Sequence, residues 1–407
     1  MCKVKQEMLR PKIEDLHSEI EKKMQSLAPA VRPGMSIAVT AGSRGIHNIS
    51  AILKSVVKVF REMEARPFIV SAMGSHGGGT VPGQEDILRG FGIIPNTVGA
   101  PLRVTSEAVE VGTTLDGSIL YADAEAVKAD GVFLVNRIKP HTAFRADLAS
   151  GLFKILTVGL GKVAGATQIH KIGASGMYRS ILEMGRLALE KLTVIGGLAI
   201  VENGYEETAY IECLLPDKME DGERELLKTA TSLLPGLPVK DLDLLIVEEM
   251  GKNFSGTGMD TNVIGRWRLE GIIEPEFPRI KKIVVLSLSA ASEGNANGIG
   301  LADFTTARLT GSINWERTLT NAKATGFWSR AHCPPFLPND REAVRWALLS
   351  LKLPAESPLR AARIRSTLRL DELWLTPMAF KNSAQCEQIS PFLSLQYNEK
   401  GDLLGET

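Results

Sequence analysis

Short apolar segments that alternate with amphipathic helical segments constrain the fold of this chain more than any other feature. In the first half of the sequence three of them are predicted as strands, at residues 35–40, 67–72 and 131–136, and helices are predicted at 48–64 and 84–89. Such alternation is typical of an α/β protein. The sequence therefore predicts α/β architecture with mostly parallel sheets.

A segment at residues 233–238 is predicted to link two domains, because its prolines and glycine interrupt helices and strands alike. Beyond it the alternation resumes, with strands predicted at 242–247 and 283–288 and helices predicted at 304–309 and 341–351. A length of 407 residues fits two or three domains of roughly 100–200 residues each. We expect two α/β domains, residues 1–236 and 237–407, with the last twenty or so residues packing on either one.

The charge balance argues against a general binder of polyanions. Lys and Arg total 47, Asp and Glu total 47, and nucleic-acid binding needs an excess of basic residues. The four cysteines show no paired spacing, which fits a reducing cytoplasm. The charged segment 1–25 is predicted as a surface helix, and no apolar run approaches the roughly 20 residues that span a bilayer. We expect a cytoplasmic protein without nucleic-acid or membrane partners, whose oligomeric state the sequence leaves open.

Three predicted strands of the first domain end in polar, glycine-rich loops. Arg44, His76 and His141 each lie just past one of these strands, and His170 follows in the same glycine-rich region. The carboxyl ends of parallel strands share one edge of a sheet, where ligands bind in open α/β folds. Imidazole exchanges protons near neutral pH, and the guanidinium fork matches a carboxylate. Although each loop alone is also compatible with an ordinary tight turn, together they predict a site for a small anionic substrate.

The remaining candidates are less informative by themselves. A lone histidine is more often a packed or surface residue than a catalyst, so His17, His47 and His332 are interpreted as structural. Lys154 lies in an apolar stretch, and burial of a lysine is costly unless it is paired or used covalently. Local sequence alone therefore favours Lys154 as a surface residue.

The order and spacing of the motifs in residues 35–170 carry a family resemblance. The series runs Gly42-Ser43-Arg44-Gly45, Met73-Gly74-Ser75-His76-Gly77-Gly78, Asn136-Arg137-Ile138-Lys139-Pro140-His141, Ser150-Gly151-Leu152-Phe153-Lys154 and Gly159-Leu160-Gly161-Lys162, and ends at His170. In this order it resembles the nickel-dependent lactate racemases and their 2-hydroxy-acid racemase and epimerase homologues. The second domain is similar in outline, with a characteristic segment at residues 251–260.

The resemblance implies a cofactor, the nickel-pincer nucleotide. This nicotinate-derived mononucleotide binds nickel through two sulfurs and a ring carbon, and the family attaches it to a lysine that by position is Lys154. Ser150 and Gly151 would be cofactor-binding neighbours. An imidazole completes the nickel plane, and His170, sixteen residues after Lys154, matches that role. Nitrogen ligation in a tetragonal site suits Ni(II).

The resemblance also implies an isomerase that racemises or epimerises a small 2-hydroxy acid by reversible hydride transfer, with the active site in a cleft between the two domains. Arg44, with Ser43 beside it, would bind the substrate carboxylate. His76 and His141 would serve the two orientations of the hydroxyl group, since racemisation needs an acid or base for each.

The sequence departs from the lactate racemase pattern in both domains. Ala41 stands where an acidic residue is expected, three positions before the arginine, and the second-domain segment 292–303 offers Asn295 and Asp303 as substrate-binding residues in place of Gln and Lys. The substrate is therefore not necessarily lactate. A larger or more polar 2-hydroxy acid, such as a sugar acid, also fits.

Two other classes of function remain open at this point. One is a non-catalytic homologue that binds a small anion or regulates, and the joint presence of Arg44, His76, His141, Lys154 and His170 disfavours it. The other is a metal-dependent hydrolase, which lacks the H-E-x-x-H arrangement and an evident carboxylate cluster in these loops.

Overall fold

The computed structural model describes residues 1–43, 45–171, 173–354 and 356–405, and the chain divides into two compact units. The first unit is Leu9–Leu234. The second unit combines Met1–Met8 with the chain from Pro235 onward. Pro235 lies inside the segment predicted as an inter-domain linker.

The strands are β1 (Cys2–Gln6), β2 (Ser36–Ala41), β3 (Arg66–Ser71), β4 (Leu102–Arg103), β5 (Ala108–Thr113), β6 (Ile119–Asp123), β7 (Gly131–Arg137), β8 (Val194–Glu202), β9 (Thr208–Leu214), β10 (Asp241–Met250), β11 (Arg279–Leu288), β12 (Phe304–Thr306), β13 (Phe336–Leu337), β14 (Ala361–Ile364), β15 (Glu372–Leu375) and β16 (Cys386–Gln388). The α-helices are α1 (Leu16–Met24), α2 (Ile49–Glu62), α3 (Val81–Gly90), α4 (Pro95–Val98), α5 (Ala124–Val127), α6 (Leu152–Lys154), α7 (Lys162–Lys171), α8 (Gly173–Lys191), α9 (Met219–Ser232), α10 (Thr261–Ile264), α11 (Ala307–Gly311), α12 (Trp315–Thr325), α13 (Asp340–Ser350) and α14 (Pro377–Lys381). Within the described ranges, no helix is both long enough and apolar enough to cross a membrane.

A six-stranded sheet with the order β4-β3-β2-β7-β8-β9 forms the centre of the first unit. Its neighbouring strands run parallel, except for the antiparallel pair of β8 and β9. Phe60 of α2 packs edge-on against Phe133 of β7, with ring centroids 5.0 Å apart. Parallel strands in such a sheet are buried on both faces, which explains why these segments are continuous apolar runs rather than alternating ones.

The parallel register brings the ends of β2, β3 and β7 to one edge of this sheet. Ala41, the last residue of β2, lies opposite Ser71, the last residue of β3. On the other side of β2, Val39 lies opposite Phe133 of β7. The three loops in which the sequence placed its candidate residues therefore begin at the same edge.

An eight-stranded sheet with the order β13-β12-β11-β10-β14-β15-β1-β16 forms the centre of the second unit. The strands from β13 to β14 run parallel, and β15, β1 and β16 pair antiparallel. Along β10, Leu245 and Val247 join one apolar cluster while Leu244 and Ile246 join the cluster on the opposite face. This is the period-two alternation of a strand covered on both sides. The prediction of two α/β units with mostly parallel sheets is confirmed.

The amino terminus differs from its prediction as a surface helix within domain 1–236. Residues Cys2–Gln6 form a strand between β15 and β16 of the second unit, and the helix begins only at Leu16. Cys2 and Val4 are fully buried, while Lys5 is exposed. The high charge of this segment concealed a period-two pattern, in which lysines alternate with inward-facing residues.

One further segment differs from the sequence-based expectation, and the end of the chain takes one of the two placements that the sequence left open. Residues 304–309 were predicted as a helix, but Phe304–Thr306 forms β12, and the Thr306 hydroxyl then caps α11 by accepting from the Leu309 N–H at 3.1 Å. The end of the chain packs in the second unit. Leu395 and Leu403 contact the apolar cluster that contains Leu244.

The terminal strand yields a test of the second unit. Val4→Ser should lower the free energy of unfolding by about 2 kcal/mol, since it removes buried methyl groups and buries a hydroxyl. Lys5→Ser, at the adjacent exposed position, should stay within about 0.5 kcal/mol of wild type. The free energy of unfolding of both variants is measured by urea titration, with limited proteolysis of the second unit as the probe of unfolding. Equal losses would contradict the assignment of Val4 to the core.

Candidate functional site

The candidate site lies at the edge of the first unit's sheet where β2, β3 and β7 end. Gly42 follows β2, and a Cβ atom built on it would lie 3.8 Å from the Asn136 side-chain oxygen and 3.7 Å from Ile155 Cδ1. The Asn136 amide in turn donates to the Gly151 carbonyl at 2.7 Å. The loop that carries Ser43 therefore starts beside the turn that leads to Lys154. Ser43 itself is half-buried.

His76 lies in a tight turn that glycine makes possible. The turn His76–Gly79 contains Gly77 with φ +63, and a Cβ atom on Gly77 would lie 2.6 Å from the Gly83 carbonyl oxygen. Gln84, which is buried, donates from its side-chain amide to the carbonyls of Gly74 at 3.2 Å and His76 at 3.3 Å. The backbone of the half-buried His76 is thus fixed from α3.

His141 is oriented by its own loop. Its Nδ1 accepts a hydrogen bond from the Ala143 N–H at 3.2 Å, and its ring stacks on Phe144 with centroids 4.2 Å apart. A neutral imidazole that accepts at Nδ1 carries its proton at Nε2. In this arrangement His141 is a hydrogen-bond donor at Nε2.

Ser150, Gly151 and Lys154 lie in one turn, as their spacing in the sequence suggests. Ser150 exchanges two backbone hydrogen bonds with Lys139, at 2.8 and 3.1 Å, directly after β7. The Lys154 ammonium donates to the Ser150 hydroxyl at 3.1 Å. Lys154 is half-buried rather than on the open surface.

The segment after Lys154 leads to the position of the predicted metal ligand. A π-helical turn spans Ile155–Gly159, and the Gly159 carbonyl accepts from the Gly74 N–H at 3.0 Å, next to the His76 turn. Short π-helical turns are frequent at functional sites. His170 lies near the end of α7. Its side chain, and the whole of Arg44, lie outside the described residues.

Sequence reasoning assigned no role to Lys162, which the structure buries almost completely with 1% exposure. Its ammonium lies 2.6 Å from a carboxylate oxygen of the fully buried Asp123, and it donates to the Ser71 carbonyl and hydroxyl at 2.5 and 2.9 Å. Burial lowers the pKa of Lys162 and raises the pKa of Asp123, and the ion pair opposes both shifts. Lys162 also has a left-handed backbone, with φ 53.

The Lys162 ion pair continues into a hydrogen-bonded chain. The Ser71 hydroxyl donates to the Gln84 side-chain oxygen at 2.6 Å, and Gln84 holds the His76 turn. This series of hydrogen bonds thus connects the start of α7 with the His76 turn through buried polar groups only. A buried polar network of this kind fixes one arrangement of the elements that it joins.

Glu223 of α9 is a second residue that sequence reasoning missed. It is fully buried, and its Oε2 accepts from the Phe153 N–H at 3.0 Å, one residue before Lys154. Burial raises its pKa to about 7, against the opposing effect of the Phe153 and Leu152 N–H groups. A signal was present in the sequence, because Glu223 occupies the buried face of α9 between Met219 and Leu227, at helical spacing.

In the second unit, the predicted substrate-binding residue Asp303 forms two ion pairs within the protein. One of its oxygens pairs with Arg266 at 2.7 Å, and the other pairs with Arg268 at 2.9 Å. The Ile283 N–H also donates to it, at 2.8 Å. Both oxygens are therefore committed to holding the protein together, which the sequence could not reveal because the arginines lie 35 and 37 residues away.

Asn295, the other predicted residue of the second unit, belongs to a polar cluster formed by Lys252, Asn295 and Asn321. The Asn295 amide lies 3.5 Å from the Asn321 side-chain oxygen, which also accepts from the Lys252 ammonium. Lys252 donates to the Gly256 carbonyl at 2.6 Å as well. The cluster follows the carboxyl ends of the parallel strands β10 and β11, where ligands bind in open α/β sheets.

The described side chains of histidine, cysteine, aspartate and glutamate nowhere gather in a group of three or more that could hold a metal ion. A metal bound near His76 or His141 would therefore need ligands from beyond this set.

Comparison with known proteins supports the fold. The lactate racemase apoprotein from Thermoanaerobacterium thermosaccharolyticum matches 89% of this chain and 94% of its own, with a TM-score of 0.52 and 12% sequence identity. At this identity the likeness shows the fold alone. No family model and no curated protein sequence matches the chain.

The Lys162–Asp123 pair generates a prediction for stability. Lys162→Met leaves the Asp123 carboxylate buried without its cation, which should cost about 3–5 kcal/mol in the free energy of unfolding. The double variant Lys162→Met, Asp123→Asn should lose clearly less, because no unpaired charge remains. Urea unfolding measures both, with Arg89→Met as a control that breaks the exposed pair with Asp86. A double variant as unstable as the single one would refute the ion-pair argument.

Glu223 generates a prediction for pH dependence. Its pKa is higher in the folded chain than the ordinary value of 4.5, so its contribution to stability is complete below pH 4.5 and is lost as the pH rises through about 7. Relative to Glu223→Gln, wild type should therefore lose roughly 3 kcal/mol between pH 4.5 and pH 8.

Unfolding free energies of wild type and Glu223→Gln at several pH values measure this difference. Glu225→Gln is the matched control, since Glu225 lies on the same helix with 70% of its side chain exposed. The free energy of unfolding of Glu225→Gln, plotted against pH, should run parallel to that of wild type. A wild-type minus Glu223→Gln difference that does not change with pH would count against a buried, titrating carboxyl.

Proposed function

We propose that the chain is an isomerase that racemises or epimerises a 2-hydroxy acid, with a nickel-pincer nucleotide attached to Lys154. The observation that carries the proposal is the position of the Lys154 turn beside the His76 and His141 loops at one edge of the sheet. The likeness in fold to a lactate racemase apoprotein and the motif series of residues 35–170 support the same class of enzyme.

The residues around Lys154 fit the attachment of such a group. The Lys154 amine is half-buried and lies 3.1 Å from the Ser150 hydroxyl, in the turn that follows the Asn136–Gly151 contact. His170 of α7 would supply the imidazole ligand to nickel. When bound, the nucleotide supplies the acceptor and donor of the hydride.

The chain's own residues would bind the substrate and move its proton. Arg44 would bind the carboxylate through its planar fork. His141, whose Nδ1 accepts from the Ala143 N–H, would donate a hydrogen bond to the substrate oxygen from Nε2. His76, whose backbone is fixed by Gln84, would take the hydroxyl proton.

The substrate class is broader than lactate under this proposal. Asp303 is paired with two arginines, and Asn295 belongs with Lys252 to the polar cluster of the second unit. Amide and ammonium groups bind hydroxyl and acidic groups better than they bind a methyl group. A 2-hydroxy acid with further polar groups is therefore the preferred substrate class.

Co-expression with enzymes that synthesise the cofactor, in the presence of nickel, tests attachment. Wild type should gain the mass of the nucleotide on Lys154 and bind nickel, while Lys154→Ala should gain neither. Lys191→Ala, at an exposed lysine with 45% side-chain exposure, is the matched control and should load like wild type. Unmodified wild type, under conditions that load a known lactate racemase, would overturn the cofactor assignment.

Chiral analysis after incubation with single-enantiomer 2-hydroxy acids tests the reaction. Wild type should invert a polar 2-hydroxy acid faster than lactate. His76→Ala and His141→Ala should each lower turnover by at least about 10²-fold, because proton transfer by a positioned group contributes that much, while the mass on Lys154 stays unchanged. Binding of 2-hydroxy acids without inversion by a loaded chain would instead support a non-catalytic anion binder.

A further inference from the structure

We infer that Glu223 is a positioning residue for Lys154, whose carboxyl caps the turn that carries the lysine. The importance of that role for catalysis rests on the proposed function of Lys154. The contacts of Glu223 with this turn are independent of that function.

The turn that carries Lys154 lacks a cap of its own. The first N–H groups of a helix have no acceptor within the helix, and a side chain just before the helix usually supplies one. The residue before α6 is Gly151, which has no side chain, and no cap hydrogen bond forms there. Glu223 supplies the missing acceptor from α9, 70 residues away, through its 3.0 Å hydrogen bond with the Phe153 N–H.

The shape of the turn matches this carboxyl closely. A Cβ atom on Gly151 would lie 2.2 Å from Glu223 Oε1, so the carboxyl packs directly against the backbone of residue 151. The Gly151 carbonyl accepts from Asn136 at 2.7 Å, and Ser150 is paired with Lys139. The turn is therefore fixed from β7 on one side and from α9 on the other.

An acid at this position is costly for the fold by itself. Glu223 Oε1 has no hydrogen-bond partner among the described residues, although the side chain is fully buried. Its neighbours on the buried face of α9 are Met219 and Leu227, so an apolar side chain would continue the core. A buried polar group kept against this cost calls for a role beyond packing. The role that the contacts offer is to hold the turn one residue before Lys154.

Three variants separate capping from packing. Glu223→Gln keeps an acceptor of the same shape, Glu223→Leu fills similar volume without an acceptor, and Glu223→Asp withdraws the acceptor by one methylene. Glu225→Leu, on the exposed side of the same helix, is the matched control. Near-ultraviolet circular dichroism establishes whether each variant is folded. If Glu223→Leu does not fold, Glu223→Asp takes its place as the variant in which the acceptor is withdrawn.

The readouts use the full chain without cofactor. Hydrogen exchange should accelerate about tenfold at the Phe153 amide in Glu223→Leu and Glu223→Asp, because its acceptor is lost. Peptide mass analysis measures the rate at which an amine-specific reagent labels Lys154. This rate should rise about two- to fivefold in these two variants, since local opening exposes the turn. Glu223→Gln and Glu225→Leu should match wild type in both measurements.

Two results would overturn the inference. One is wild-type exchange at Phe153 in a folded Glu223→Leu or Glu223→Asp chain. The other is altered exchange with unaltered Lys154 labelling, which would make Glu223 a structural cap only. Neither measurement involves the nucleotide, so a chain that never loads cofactor would refute the proposed function and leave this test intact. If wild type does load, Glu223→Leu should form less of the Lys154 adduct and Glu223→Gln should restore it.

Discussion

The parallel alignment of β2, β3 and β7 is the constraint on which the rest of the first unit depends. Since Ala41 lies opposite Ser71 and both strands are buried on both faces, the loops that follow them must leave the sheet at one edge. A one-residue slip would turn the buried side chains of a strand to the other face. The positions of the His76 and His141 loops therefore follow from the packing of the sheet and not from local preferences within the loops.

Buried polar groups then determine how these loops are held. Lys162 joins Asp123 and Ser71, Gln84 extends this chain of contacts to His76, and Glu223 holds the turn before Lys154. Each contact withdraws a polar group from water, and only specific partners make that arrangement stable. The first unit thus combines an apolar sheet with a small set of polar supports concentrated behind one edge.

The sequence predicts the parts of this structure that depend on local pattern. The buried runs of β2, β3 and β7 and the glycine turns after them are visible without coordinates. The sequence does not predict contacts between distant segments. Glu223 acts on a residue 70 positions away, and Arg266 and Arg268 neutralise Asp303 from more than 30 positions away. In β1, charge concealed the alternation because lysines occupy its outward positions.

The left-handed backbone of Lys162 places two opposed demands on one position. Its φ of 53 is a conformation that glycine adopts freely and that a side chain makes strained. Glycine, however, has no ammonium to pair with Asp123, so relief of the backbone would leave a buried acid alone. No natural amino acid satisfies both demands at once. The ion pair with Asp123 therefore holds position 162 in a strained backbone conformation. The path of the backbone into α7 depends on the ion pair outweighing that strain.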